Sequence, residues 1–221
     1  MEETIVKVEH LSHRYSVDWA IRDINLEVRS RGVFGLLGSN GAGKSTTMNI
    51  ICGVLNQTEG NVYINGISLR ENPVEAKKYI GFLPQRPPLY PNMTVEEYLT
   101  YCAALRLMDE AAIPAAVERA MDRCGILHFR SRLLKNLSGG YQQRAGIAQA
   151  IVHNPPFVVL DEPTNDLDME TLELLEELLA EYTGTVIMVS HDRAFLDDLA
   201  TSTFALEGDR LIHEYVGGYT D

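Results

Sequence analysis

The chain has 221 residues, 45% of them hydrophobic, enough for a sizeable core in one large domain or in a domain carrying an inserted subdomain. Its formal charge of −12 works against extended contact with nucleic-acid phosphates, which needs clustered Lys and Arg, so no direct nucleic-acid partner is expected. No apolar run approaches the roughly eighteen residues of a membrane span, and the start Met1-Glu2-Glu3 is unlike a basic signal region, so a cytoplasmic location is expected.

Residues 4–9 and 22–28 alternate apolar and polar like half-buried strands, with a polar turn between them that holds Tyr15. An aromatic there either stacks on a nucleotide base or caps the sheet. The apolar run Val33 to Leu37 has strand length. It leads into Gly38-Ser39-Asn40-Gly41-Ala42-Gly43-Lys44-Ser45-Thr46, after which Met48, Ile51, Cys52 and Leu55 recur at helical spacing to about Val54. Glycines in a strand-to-helix turn let successive N–H groups point at phosphate oxygens, and the helix directs its positive end to the same place. This is a phosphate-binding loop, in which Lys44 reaches the β- and γ-phosphates and the Ser45 hydroxyl ligates Mg²⁺.

A strand is expected near 61–69 with a turn at Asn65-Gly66, and a buried strand from Tyr79 to Leu83 that ends at Pro84-Gln85. Gln85 is either a Mg²⁺ contact delivered by a strand end or an ordinary loop glutamine. From Pro87 to about Val152 strand signals vanish; 94–107 and 113–124 read as helices, the first opening on a Thr94/Glu97 capping box. Leu137-Ser138-Gly139-Gly140-Tyr141 starts another helix. Ser138 as N-cap, followed by Gly139 and Gly140, makes a second anion site or an ordinary N-cap with a Gly-rich lead-in.

Phe157 to Leu160 is a fully apolar strand ending in Asp161 and Glu162. Its edge places Asp161 to hold the Mg²⁺ shell through water and Glu162 to polarise a water for attack on the γ-phosphate. The alternative use of such acids, capping the next helix, already falls to Asp168 before 169–180. Residues 185–190 form the next core strand, and His191 at its end either hydrogen-bonds the γ-phosphate or is a turn residue. A helix at 192–199 and strands near 202–207 and 210–215 finish the chain. Cys52, Cys102 and Cys124 lack CxxC spacing and indicate neither a disulfide framework nor a zinc site.

In this order, Tyr15, the loop 38–46, Gln85, 137–141, 157–162, Asn165-Asp166-Leu167-Asp168 and His191 resemble the ATP-binding cassette (ABC) ATPase domain over the whole chain. The resemblance implies an α/β fold: a P-loop NTPase (RecA-like) core with an antiparallel β subdomain, from 1–86 and 156–221, and an inserted helical subdomain, 87–155. It implies ATP and Mg²⁺ as cofactors, Tyr15 as the adenine-stacking aromatic, Gln85 as the Mg²⁺ and coupling glutamine, Glu162 as general base and His191 as switch histidine. It further implies a homodimer formed head to tail on ATP, in which Ser138, Gly139 and Gly140 of one subunit close over the ATP held by Lys44 of the other. Tyr141 stands where many members have glutamine.

Residues 1 to about 160 are similar to bacterial exporter subunits, whereas 161–221 are similar to the soluble, duplicated F-subfamily. The charge changes at the same place: 17 Lys+Arg and 15 Asp+Glu before it, 2 and 16 after it. A recombined chain is suspected. The resemblance therefore implies an ATPase that drives a transmembrane exporter subunit docked between core and helical subdomain, peripheral on the cytoplasmic face of the inner membrane. The alternatives are a soluble ATPase gating a ribosome or other assembly, disfavoured by the single cassette, and a chimera with no physiological partner.

Overall fold

A computed structural model describes residues 3–165, 167–190, 192–206 and 212–217. The chain opens with two antiparallel strands, β1 (Thr4–Tyr15) and β2 (Asp18–Arg29). Both are longer than the alternation of the sequence indicates, and only Ser16-Val17 separate them, so Tyr15 ends a strand instead of sitting mid-turn. The reason is physical: register shifts between Val8/Leu11, Leu11/His13 and His13/Arg14 bring Leu11, Ser12 and His13 all to buried positions. Such bulges erase the period of two from which a strand is recognised.

β3 (Gly32–Gly38) leads through the glycine loop into α1 (Lys44–Ile51). β4 (Glu59–Ile64) and β5 (Ile67–Ser68) are joined at Asn65-Gly66, whose φ values of 49° and 76° give the paired positive φ that a tight hairpin turn requires. These strands complete a four-stranded antiparallel sheet in the order β2-β1-β4-β5. A short helix absent from the sequence expectation, α2 (Pro73–Lys77), precedes β6 (Ile80–Leu83). Three helices follow: α3 (Val95–Leu105), α4 (Ile113–Arg123) and α5 (Gly139–Ile151). The expected capping box on α3 is formed, with Thr94 N donating to Glu97 Oε2 at 2.8 Å and Glu97 N to Thr94 Oγ1 at 3.2 Å.

β7 (Phe157–Asp161), α6 (Met169–Glu181), β8 (Thr185–Val189), α7 (Arg193–Leu199), β9 (Ser202–Leu206) and β10 (Ile212–Val216) close the chain. The second sheet has the order β10-β9-β3-β8-β7-β6, parallel throughout except for β10 against β9. Alternate residues of β7 and β8 enter different cores. Phe157, Val159, Ile187 and Val189 pack with the antiparallel sheet and α1, while Val158, Leu160, Val186 and Met188 pack with α3 to α6. Both faces are thus covered, which is why these strands read as unbroken apolar runs.

The outer edge of β6 is closed by α5. Gln149 Nε2 donates to the Phe82 carbonyl at 2.6 Å and His153 Nε2 lies 3.0 Å from that of Ile80, so two edge carbonyls are satisfied. The approach is close because Gly81 has no side chain to meet the Ala150 carbonyl.

Candidate functional site

The strand order sets the ends of β3, β6 and β7 around one opening. At the end of β3 the chain turns tightly, with Ala42 N donating to Ser39 O at 3.1 Å and Gly41 and Gly43 at φ of 82° and 93°. Gly43 is the N-cap of α1, and a methyl there would run into Ile21 Cγ2 and come within 3.0 Å of the Ala20 carbonyl. Buried Thr47 fixes the start of the helix through its own N–H and hydroxyl, at 2.8 and 2.9 Å from Gly43 O. No side chain caps α1 and its first turn holds no acid, so its N–H groups and positive dipole end are directed at an incoming anion. Lys44 is buried; its Nζ donates to the carbonyls of Gly38 at 2.7 Å and Ser39 at 3.1 Å. An ammonium has three protons, so the third remains for a further acceptor in the opening.

A cavity of about 320 Å³ lies over this loop, walled by Asn40, Gly41, Gly43, Lys44, Ser45 and Thr46, with Ala20, Gln85 and Glu162 opposite. Asp161, at the end of β7, is 5% exposed and accepts from Ser45 Oγ at 3.3 Å. Burial pushes its carboxyl above the ordinary carboxylate range, against the opposing effects of the Ser45 hydrogen bond and the Lys44 charge. Glu162 is 7% exposed at φ 51°, left-handed for a non-glycine residue, and its N–H is held by Val189 O at 2.8 Å. A residue held in that region by surrounding structure points to a site. Ser45, Asp161 and Gln85 offer hydroxyl, carboxylate and amide oxygens, a hard donor set that fits Mg²⁺ with water and phosphate oxygens completing it. No group of three or more His, Cys, Asp or Glu stands ready for a metal among the described residues.

The structure thus brings Asn40, Gly41, Gly43, Lys44, Ser45, Thr46, Gln85 and Glu162 to one cavity and ties Asp161 to it. Gly38, Ser39 and Ala42 shape the loop behind. Tyr15 stands apart, 55% exposed at the tip of β1. Ser138, Gly139 and Gly140 lie at the N-terminus of α5; Ser138 is the N-cap but its side chain makes no capping bond, and the Gly139 Cα faces open space. His191 lies outside the described residues, as does Asp166. The loops around them are joined through Ser190 Oγ, 3.0 Å from Thr164 Oγ1 and accepting from Asp192 N at 3.0 Å.

Sequence reasoning missed Ala20, which no motif marks, and Thr47, whose place in the first turn of α1 would have been the signal. A second cavity, also about 320 Å³, is a groove where the end of α1, α2 and the end of α3 meet. Exposed Val54, Val74, Leu105 and Leu107 line it together with Lys77, Lys78 and Arg106, whose guanidinium donates to Lys77 O at 2.7 Å. No described helix is long and apolar enough to cross a membrane.

The family model described as ABC transporter matches residues 21–165. The bacitracin transport ATP-binding protein BcrA of Bacillus licheniformis is 30% identical over 215 residues, 96% of this chain and 69% of that protein. ATP-binding protein Uup of Caulobacter vibrioides is 33% identical over 222 residues, 98% of this chain but only 34% of that protein. Among solved structures, an ATP binding subunit of an ABC transporter superposes with TM-score 0.88 at 26% identity, covering 96% of this chain and 90% of that one. A dimeric post-hydrolysis state of an ATP-binding cassette bound to ADP and Pi superposes with TM-score 0.82 at 28% identity, covering 96% and 98%.

Proposed function

This chain belongs to the ABC transporter family as a P-loop ATPase, and from that membership we propose that it is the nucleotide-binding domain that energises a membrane exporter. The observation that carries the reading is the convergence of Lys44, Ser45, Gln85 and Glu162 on one cavity with Asp161 bonded to Ser45. In this reading residues 38–46 cradle the triphosphate and the Lys44 ammonium donates its remaining N–H to the β- and γ-phosphate oxygens. Ser45, Gln85 and Asp161 would hold Mg²⁺, and the ion would supply charge neutralisation on the phosphates. Glu162 takes the proton of the attacking water. Tyr15 stacks on adenine, and His191 serves as the switch histidine.

The site is completed by a second copy. The uncapped N-terminus of α5, with Ser138, Gly139 and Gly140, is suited to close over the γ-phosphate bound by the partner subunit; Gly139 faces open space, while Gly140 lies against the Asp168 carboxylate. The structural relative named as a post-hydrolysis ATP-binding cassette is itself dimeric, which supports this arrangement. The core and β subdomain are assigned to 1–86 and 156–221 and the helical subdomain to 87–155, with the exporter subunit docked in the apolar and basic groove at Leu105–Leu107 and Lys77. The test is co-sedimentation of the Glu162→Gln chain with inner-membrane vesicles and with ribosomes, with and without ATP. Recovery with vesicles is expected. ATP-dependent recovery with ribosomes alone would replace the exporter by the soluble F-subfamily role, and recovery with neither would favour a recombined chain without a partner.

A further inference from the structure

His13 is 8% exposed, and neither of its ring nitrogens meets a hydrogen-bond partner. With no partner for the nitrogens, what this side chain does in the fold it does through the face and edge of its ring. Two observations indicate what that is. First, the His13 ring stands edge-to-face against Tyr15, centroids 4.7 Å apart and planes at 81°. Second, register shifts of the β1–β2 ladder fall on both sides of His13, between Leu11/His13 and His13/Arg14, and such irregularities re-aim side chains beside functional sites. Directly across the ladder from His13 is Ile21, the residue whose side chain abuts Gly43 of the phosphate loop. Tyr15, His13, Ile21 and Gly43 therefore form a continuous line from the exposed aromatic to the N-cap of α1.

We propose that His13 is a positioning residue for nucleotide binding: its ring fixes the Tyr15 platform at a set distance from the phosphate loop, so that base and triphosphate are engaged together. The proposal rests on the reading of Tyr15 as the adenine platform. Tyr15 is more than half exposed at a strand tip whose next residue, Ser16, is in the left-handed region at φ 59°. A ring there gains orientation from a fixed aromatic neighbour. The action is through the ring and not the nitrogens, since these already lack partners inside the fold. A carbocyclic ring of similar size should therefore serve as well.

The test compares Mg²⁺-ATP with Mg²⁺-tripolyphosphate, which has the phosphates but no base, by calorimetry on wild type, His13→Ala, His13→Phe and Tyr15→Ala. His13→Ala should weaken ATP binding roughly three- to tenfold, the factor an edge-to-face ring pair contributes. It should leave tripolyphosphate within about twofold, and His13→Phe should restore ATP affinity. Equal weakening of both ligands would mean that His13 supports the loop or the fold generally, and would overturn the proposal. Failure of His13→Phe to rescue would overturn it in favour of a nitrogen-mediated contact. An unchanged His13→Ala beside a weakened Tyr15→Ala would overturn the positioning role alone, whereas an unchanged Tyr15→Ala would overturn the platform reading and this inference with it.

Discussion

Gly43→Ala tests the geometry of the phosphate loop most directly, because two independent costs are visible at that residue. The backbone is at φ 93°, where an L side chain costs about 1–2 kcal/mol over glycine. The added methyl also runs into Ile21 Cγ2 and approaches the Ala20 carbonyl to 3.0 Å, an overpacking that costs about 1–3 kcal/mol when strand and loop must shift. Together they predict a loss of about 2–5 kcal/mol, a large share of the roughly 5–15 kcal/mol that holds a domain together. Gly41→Ala is the internal control: its φ is 82°, but nothing lies within 4 Å of the new methyl, so only the backbone cost of about 1–2 kcal/mol applies. Urea unfolding of the two variants and wild type measures both losses, and the difference between them isolates the contact with β2. Equal losses, or a Gly43→Ala loss within about 0.5 kcal/mol of zero, would refute the argument that β2 clamps the loop.

Lys44 Nζ is held by Gly38 O and Ser39 O and in the proposed function also faces the phosphates, so Lys44→Ala should lower ATP affinity by calorimetry roughly ten- to a hundredfold, the worth of one charge-assisted hydrogen bond. Glu162→Gln should bind ATP normally, lose about 10²- to 10⁴-fold in turnover and accumulate as an ATP-bound dimer in sedimentation, since the amide holds a water but cannot take its proton; unchanged turnover would move the base elsewhere. His153 makes the fold sensitive to acid. Burial, aided by the Arg106 charge, pushes its imidazole down to about 4, and its Nδ1 is buried without a partner. Because the folded value lies below the unfolded one, its stabilising contribution is complete above about pH 6.5 and is lost as pH falls to about 4, roughly 3 kcal/mol in all. Urea unfolding should show a flatter decline over that interval for His153→Gln, and an unchanged slope would remove His153 as the cause.

The parts of this protein that depend on a few neighbouring residues were legible without coordinates. The Thr94/Glu97 capping box, the Asp168 N-cap whose Oδ1 accepts from Thr171 N at 2.8 Å, the Asn65-Gly66 turn and the glycine loop each obey rules that span two to nine residues. The same locality explains the misreading of β1 and β2. A strand is recognised by its alternation, and the bulges at Leu11 to Arg14 break it although the ladder continues. The five-residue helix α2 is too short for any period to announce it.

What the sequence determined by itself was therefore the inventory: a phosphate loop with Lys44 and Ser45, two acids at the end of an apolar strand, a glutamine after another, and a Gly-rich helix start. Which of these share a cavity was decided only by tertiary structure. The runs that became β3, β7 and β8 are equally apolar, so pattern alone permits them in any order. In the observed order β3-β8-β7-β6 both faces are covered, one by the antiparallel sheet and α1 and the other by α3 to α6. That order brings Ser45 to 3.3 Å from Asp161, 116 residues away, and sets Gln85 and Glu162 across the opening from Lys44. It also places Ile21 of β2 against Gly43, a contact without a motif, because the fit of a methyl group into the space a glycine leaves is a property of two packed surfaces and not of either stretch of chain.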